Sequence, residues 1–226
     1  MIHFVKNIPI NDDVPKNCKE IVFGAGCFWG VERKFWDLPG VFLTSVGYSG
    51  GDTENPSYED VCYRNTNHAE VVKVTYDSNV IDLMELLKIF WECHDPTQGM
   101  RQGNDIGTQY RSVIYTNSDD DLKVALESKD TYQKELVENN FKADNLESIT
   151  TEIEPVKNYY LAEEYHQQYL ASAGSRQYCS ASPTKVKLGN FNGSNYKLKD
   201  SIWDNFNWDI DKCVLRSDNN PILNNN

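Results

Sequence analysis

KEIVFGAGCFWGVERKFWD, residues 19–37, sets an apolar run, Ile21-Val22-Phe23, directly before two glycines, a cysteine and two large aromatics. The run predicts a short strand ending in glycine. From Cys27 to about Asp37 the spacing predicts a helix, stopped by Leu38-Pro39-Gly40. The fold turns on this stretch, because a strand that passes at once into a helix needs a sheet to pack that helix against.

Outward from it, residues 1–18 read as a polar arm and 41–48 as a second strand, followed by the loop SGGDTENPSYED. HAEVVKVTYD, residues 68–77, reads as a third strand. Its alternation puts His68, Glu70, Val72, Val74 and Tyr76 on one face and Lys73, Thr75 and Asp77 on the other. Residues 82–93 form an amphipathic helix through Leu83, Leu86, Leu87, Phe90 and Trp91, with Asp82 and Glu85 as a capping box. HDPTQGMRQGNDIGTQ, residues 94–109, has no periodicity, and a loop of that length inside a compact domain points to function.

A strand at 110–116 and a helix at 118–139, with Leu122, Ala125, Leu126, Tyr132 and Leu136 on one face, come next. A strand near 148–157 and a helix near 158–172 complete the body. These elements predict an α+β domain, a mixed or antiparallel sheet covered by helices. The organisation expected is an N-terminal arm (1–18), a catalytic domain (19–172) and an irregular C-terminal extension (173–226).

The 226 residues carry a formal charge of −12, which argues against nucleic acid or an anionic membrane as partner. Residues 1–172 hold 15 Lys and Arg against 29 Asp and Glu, a net of −14; residues 173–226 hold 7 against 5, a net of +2. No apolar run approaches a membrane span, and the start of the chain lacks the features of a secretory signal, so the cytoplasm is the expected location. The cysteines at 18, 27, 62, 93, 179 and 213 are then expected to be mostly reduced. The spacing of Cys62, His68, Cys93 and His94 matches no familiar zinc site, and no metal or cofactor is expected.

Cys27 stands where helix N–H groups and the dipole lower a thiol's pKa, and Phe28 and Trp29 can line an apolar pocket beside it. A buried, inert cysteine fits the same residues. Glu70 opens an apolar strand face, as a proton donor raised by desolvation or as the partner of Arg33 or Arg111. Tyr58 and Tyr110 lie in the suspect loops as hydrogen-bond donors. Cys62 and Cys93 read as packed thiols.

GCFWG (26–30), KFWDLPGV (34–41), VGYSGG (46–51), PSYEDVC (56–62), HAEVV (68–72), HDPTQGMRQGNDIGTQYRS (94–112) and AEEYHQQYL (162–170) together resemble the type A peptide-methionine sulfoxide reductases. The resemblance runs from about Lys19 to Cys179. It implies a ferredoxin-like two-layer sandwich and reduction of the S epimer of methionine sulfoxide. It makes Cys27 the nucleophile, Phe28 and Trp29 the methyl pocket, and Glu70 the acid. Tyr58 and Tyr110 would bond the sulfoxide oxygen, and Asp105 would orient substrate or water. Cys179 falls where many relatives carry a recycling cysteine, and Cys213 is a candidate second relay. Oxidised proteins and free methionine S-sulfoxide are the implied substrates, thioredoxin or another dithiol the implied reductant, and a monomer the expected state. Asn67 and Cys93 depart from the residues that relatives often carry. A cysteine hydrolase with His68, His94 or His166 as base, and a non-catalytic redox sensor, are the competing readings.

Overall fold

The computed structural model describes residues 1–10, 13–142, 148–176, 178–194 and 196. The stretch quoted above folds as a strand, β1 (Cys18–Ala25), and a short helix, α1 (Phe28–Arg33). The rest of the predicted helix, to about Asp37, closes instead as tight turns, such as Phe35 N–H to Glu32 O, with Leu38 N–H to Phe35 O just past it.

After β2 (Val41–Ser49), α2 (Tyr58–Tyr63) starts from Ser57 in a capping box with Asp60. β3 (Ala69–Asp77) and α3 (Leu83–Glu92) follow, the latter capped by Asp82 and Glu85 as the sequence predicts. A small hairpin, β4 (Arg101–Gln102) and β5 (Asp105–Ile106), lies inside the long loop. β6 (Ser112–Thr116), α4 (Asp119–Glu138), β7 (Glu152–Pro155) and β8 (Tyr160–Leu161) complete the elements.

Six strands form one sheet in the order β7-β6-β1-β3-β2-β8, antiparallel throughout except for the parallel pair β6 and β7. The chain is thus α+β with a mixed sheet. β3 obeys its alternation: Val72, Val74 and Tyr76 join the main core, whereas Ala69 and Val71 pack with Val22, Val113 and Tyr115 on the other face. Burial of each of these valines contributes roughly 1.5–3 kcal/mol.

Two further predicted features are corrected. The helix expected at 158–172 does not form. Tyr160 and Leu161 pair with the edge of β2, and two 3₁₀ turns follow at Glu164–His166 and Tyr169–Ala171. Side chains explain why. The Gln167 carboxamide accepts from Val46 N–H at 2.9 Å and donates to Val46 O at 2.8 Å, so it caps the sheet edge. Gln168, left-handed at φ 47°, donates its own N–H to Glu32 at 2.8 Å. These long-range bonds outweigh a local helical propensity worth only tenths of a kcal/mol per residue.

The second correction concerns α4, whose buried side is set by Asp121, Ala125, Ser128, Tyr132 and Leu136, at helical spacing. Leu126, one residue off that line, is 45% exposed.

Both ends of the described chain are tied down. His3 is buried and its Nε2 meets Thr44 Oγ1 at 3.0 Å. Beyond residue 173, Val186, Leu188 and Phe191 enter the main core, and buried Glu92 accepts the Leu188 N–H and the Lys187 ammonium, each at 2.9 Å. Among the described residues no helix is long and apolar enough to cross a membrane.

Candidate active site

Cys27 is the N-cap of α1, directly after Gly26, whose φ is +94°. A side chain at Gly26 would be strained there and would meet Gln102 Cβ at 2.8 Å, so glycine admits the β4–β5 hairpin against the turn. The first turn of α1 then presents three consecutive N–H groups. That of Phe28 donates to Glu70 Oε2 at 3.0 Å, and those of Trp29 and Gly30 are directed to the Cys27 sulfur. A carboxyl and a thiol therefore share one helix end, because β3 lies beside β1 in the sheet.

Burial pushes the Cys27 thiol well above its ordinary range, and the charge of Glu70 adds to this; the Trp29 N–H opposes them, Asp105 raises the value further, and the Gly30 N–H opposes. This reverses the lowered value expected from the helix end alone, since desolvation and a neighbouring carboxylate outweigh two N–H groups. Glu70 is pushed up to about 8 by burial, against the Phe28 N–H and with a further rise from Asp105. Arg111, weighed as its structural partner, is committed to Glu152, Asn67 O, Thr108 O and Tyr115.

Both groups open into a cavity of about 450 Å³ lined also by Phe28, Trp29, Tyr58, Asp105 and Tyr110, with Tyr169, Arg176 and Tyr178 completing the wall. Every candidate of the reacting set thus lines one space. The Tyr58 hydroxyl bonds the Cys62 sulfur, and burial above all keeps the Tyr58 and Tyr110 phenols protonated far above the usual tyrosine range. Asp105 Oδ1 accepts the Tyr178 hydroxyl at 2.5 Å, while its Oδ2 is buried with no hydrogen-bond partner among the described residues.

The resemblance to the reductases assigned no role to several residues that shape this wall. His166 Nδ1 accepts the Trp29 indole N–H at 3.1 Å, and the Tyr169 ring stacks on Trp29 at 3.9 Å. Glu163 accepts the Tyr58 N–H and the Tyr48 hydroxyl, each at 2.8 Å. Their signal was the density of aromatic and polar residues in AEEYHQQYL, which the helical reading dispersed around an axis.

The histidines proposed as bases have other tasks. His68 meets Gly51 N–H and Thr53 O, and His94 meets Phe90 O and Ser112. His166, already bonded to Trp29, is lowered to about 4 by burial, against the charge of Glu163, and is neutral. Cys179 and Cys27 line a second, smaller void. Cys213 lies outside the described residues.

A model of the peptide methionine sulfoxide reductase family matches residues 19–198. A peptide methionine sulfoxide reductase MsrA of Photobacterium profundum is 52% identical over 184 residues, 81% of this chain and 85% of that one. A protein of the same name from Vibrio vulnificus is 54% identical over 185 residues, 82% and 86% of the two chains. Among solved structures, methionine sulfoxide reductase A of Corynebacterium diphtheriae is similar at TM-score 0.67 and 43% identity, covering 74% of this chain and 79% of that one. Reduced Mxr1 from Saccharomyces cerevisiae is similar at TM-score 0.62 and 40% identity, covering 69% and 86%.

Proposed function

The chain belongs to the peptide methionine sulfoxide reductase family, and on that premise we propose that it reduces the S epimer of methionine sulfoxide, free or in proteins, to methionine. The observation that carries the reading is the pairing of a neutral acid with a thiol on consecutive N–H groups of α1, inside an aromatic cavity. A sulfoxide sulfur is a poor electrophile until its oxygen takes a proton, so the reaction needs both groups together.

In the resting site Glu70 carries a proton below about pH 8. That proton passes to the sulfoxide oxygen as the Cys27 sulfur attacks the sulfoxide sulfur. The Cys27 proton goes to the Glu70 carboxylate, which removes the charge that most opposed a thiolate apart from burial. The hydroxyl ends on Cys27 and methionine leaves, so Cys27 is oxidised by two electrons to a sulfenic acid and the substrate is reduced by two. Phe28 and Trp29 take the methyl group, Tyr58 and Tyr110 bond the oxygen, and the unpartnered Oδ2 of Asp105 orients substrate or water.

Cys179 condenses with the sulfenic acid, releasing water, and an external dithiol such as thioredoxin reduces the disulfide, with Cys213 as a later relay. Residues 1–18 act as an arm, 19–172 as the catalytic domain and 173–226 as the recycling extension of a cytoplasmic monomer.

Turnover of the separated epimers tests the whole reading. The S epimer is reduced, the R epimer is not, and turnover stops after the bound thiols are oxidised unless a dithiol is supplied. Cys27→Ser forms no methionine even in a single turnover. Normal methionine yield from that variant, or steady turnover without a reductant, refutes the assignment.

A further inference from the structure

The small void behind the site is bounded by a third sulfur. Cys27, Cys179 and Cys93 line it together, with Gly30, Lys34 and Ala181. The other described cysteines are elsewhere: Cys62 is bonded to Tyr58, and Cys18 begins β1, roughly 23 Å along the strand from its end at Ala25. Cys93 ends α3, is buried at 7% exposure, and its thiol meets Phe90 O at 3.3 Å.

We propose that Cys93 is a second recycling thiol, which takes over the disulfide from Cys179 and returns Cys27 to its reduced state. The inference rests on the reductase reading and extends it. Cys27 sulfenic acid first condenses with the Cys179 thiol, forming the Cys27–Cys179 disulfide and water. The Cys93 sulfur then attacks the Cys179 sulfur, the Cys93–Cys179 bond forms, and Cys27 leaves, taking up the proton that Cys93 gave up. No oxidant beyond the sulfoxide enters.

Two features favour this exchange over a bystander role. Lys34, itself buried at 8% exposure, lines the same void as the three sulfurs. Cys179 sits on a segment without helix or strand, held to the β4–β5 hairpin at its neighbours: Gly103 abuts Ser180 O so closely that a side chain would meet it at 2.1 Å, and Ser182 N–H donates to Gln102. Among the described residues no three His, Cys, Asp or Glu are close enough to hold a metal ion, so the sulfurs do not share one coordination sphere. Held to the hairpin in this way, Cys179 faces both Cys27 and Cys93 across the one void.

The consequence is a count. A chain with one resolving thiol makes one methionine before it needs reductant, whereas the relay frees Cys27 for a second. The experiment uses the full chain with Cys213→Ser, which removes the other proposed relay, given excess sulfoxide and no reductant. About two equivalents of methionine and a Cys93–Cys179 bond in the peptide map are expected, falling to about one equivalent and a Cys27–Cys179 bond when Cys93→Ala is added. About one equivalent with only Cys27–Cys179 in the Cys213→Ser chain overturns the relay and leaves the reductase standing. No methionine from either chain overturns the reductase reading and the relay with it. The map is read on a chain that keeps Cys93, so the outcome does not depend on how Cys93→Ala folds.

Discussion

The floor of the site and its wall are built by different means. The floor is β1, α1 and β3, regular elements whose register brings Glu70 to the Phe28 N–H at 3.0 Å. The wall is residues 163–176 with Tyr178 and Cys179; it holds two short 3₁₀ turns and stands in place through Glu163, His166, Gln167 and Gln168 bonded to distant partners. Backbone hydrogen bonding makes the floor robust, whereas the wall depends on single side chains. On the proposed function, the acid, the thiol and the Phe28–Trp29 methyl pocket fall to the floor, and the setting of Trp29 and the recycling thiol Cys179 to the wall.

The sharpest break of this contrast is Glu70→Gln. It is expected to slow the chemical step by roughly 10²–10⁴ while leaving the fold intact. The wild-type step is expected to fall as pH rises past about 8, where Glu70 loses its proton, and the variant to lack that fall. An unchanged single-turnover rate in Glu70→Gln places the acid outside the floor.

A wall substitution acts more weakly and on a different parameter. His166→Phe removes the bond that orients the Trp29 indole and is expected to raise KM by about 2- to 10-fold, the worth of one hydrogen bond, with kcat little changed. A fall in kcat with KM unchanged breaks the division between chemistry and fit.

The floor also leaves a mark on stability. Glu32, donated to by Thr44 and Gln168, is pushed up to about 7 by burial, and Glu70 to about 8, both from 4.5. The folded state then binds more protons than the unfolded one across that window. The contribution of these groups is present below about pH 4.5 and is lost as pH climbs toward 8. Denaturant midpoints are expected to fall over that range, and Glu70→Gln to remove the portion of the fall nearest pH 8. A contribution from these two groups that rises with pH contradicts the burial.

The smallest effect expected is at Leu126, 45% exposed on α4, where Ala changes stability by less than about 0.5 kcal/mol. At Leu136, 3% exposed on the same helix, Ala costs about 2–5 kcal/mol. Equal losses at the two positions restore Leu126 to the packing face.

The sequence by itself determined the regular part: strands at β1, β2, β3 and β6, the capped α3, the long α4, and the family, because periodicity and caps act over a few residues and the motifs run in order. It also named Cys27, Glu70, Tyr58, Asp105 and Tyr110, all of which line one cavity. Only the tertiary structure decided that 158–172 is an edge strand and turns rather than a helix. It alone put His166, Tyr169 and Tyr178 on the wall, reversed the direction of the Cys27 pKa, and brought Cys93 to the void shared by Cys27 and Cys179. Each of those outcomes depends on burial or on partners far apart in the chain, such as Gln167 with Val46 across 121 residues. Local spacing carries no record of a desolvation cost or of a bond whose two ends meet only when the sheet has closed.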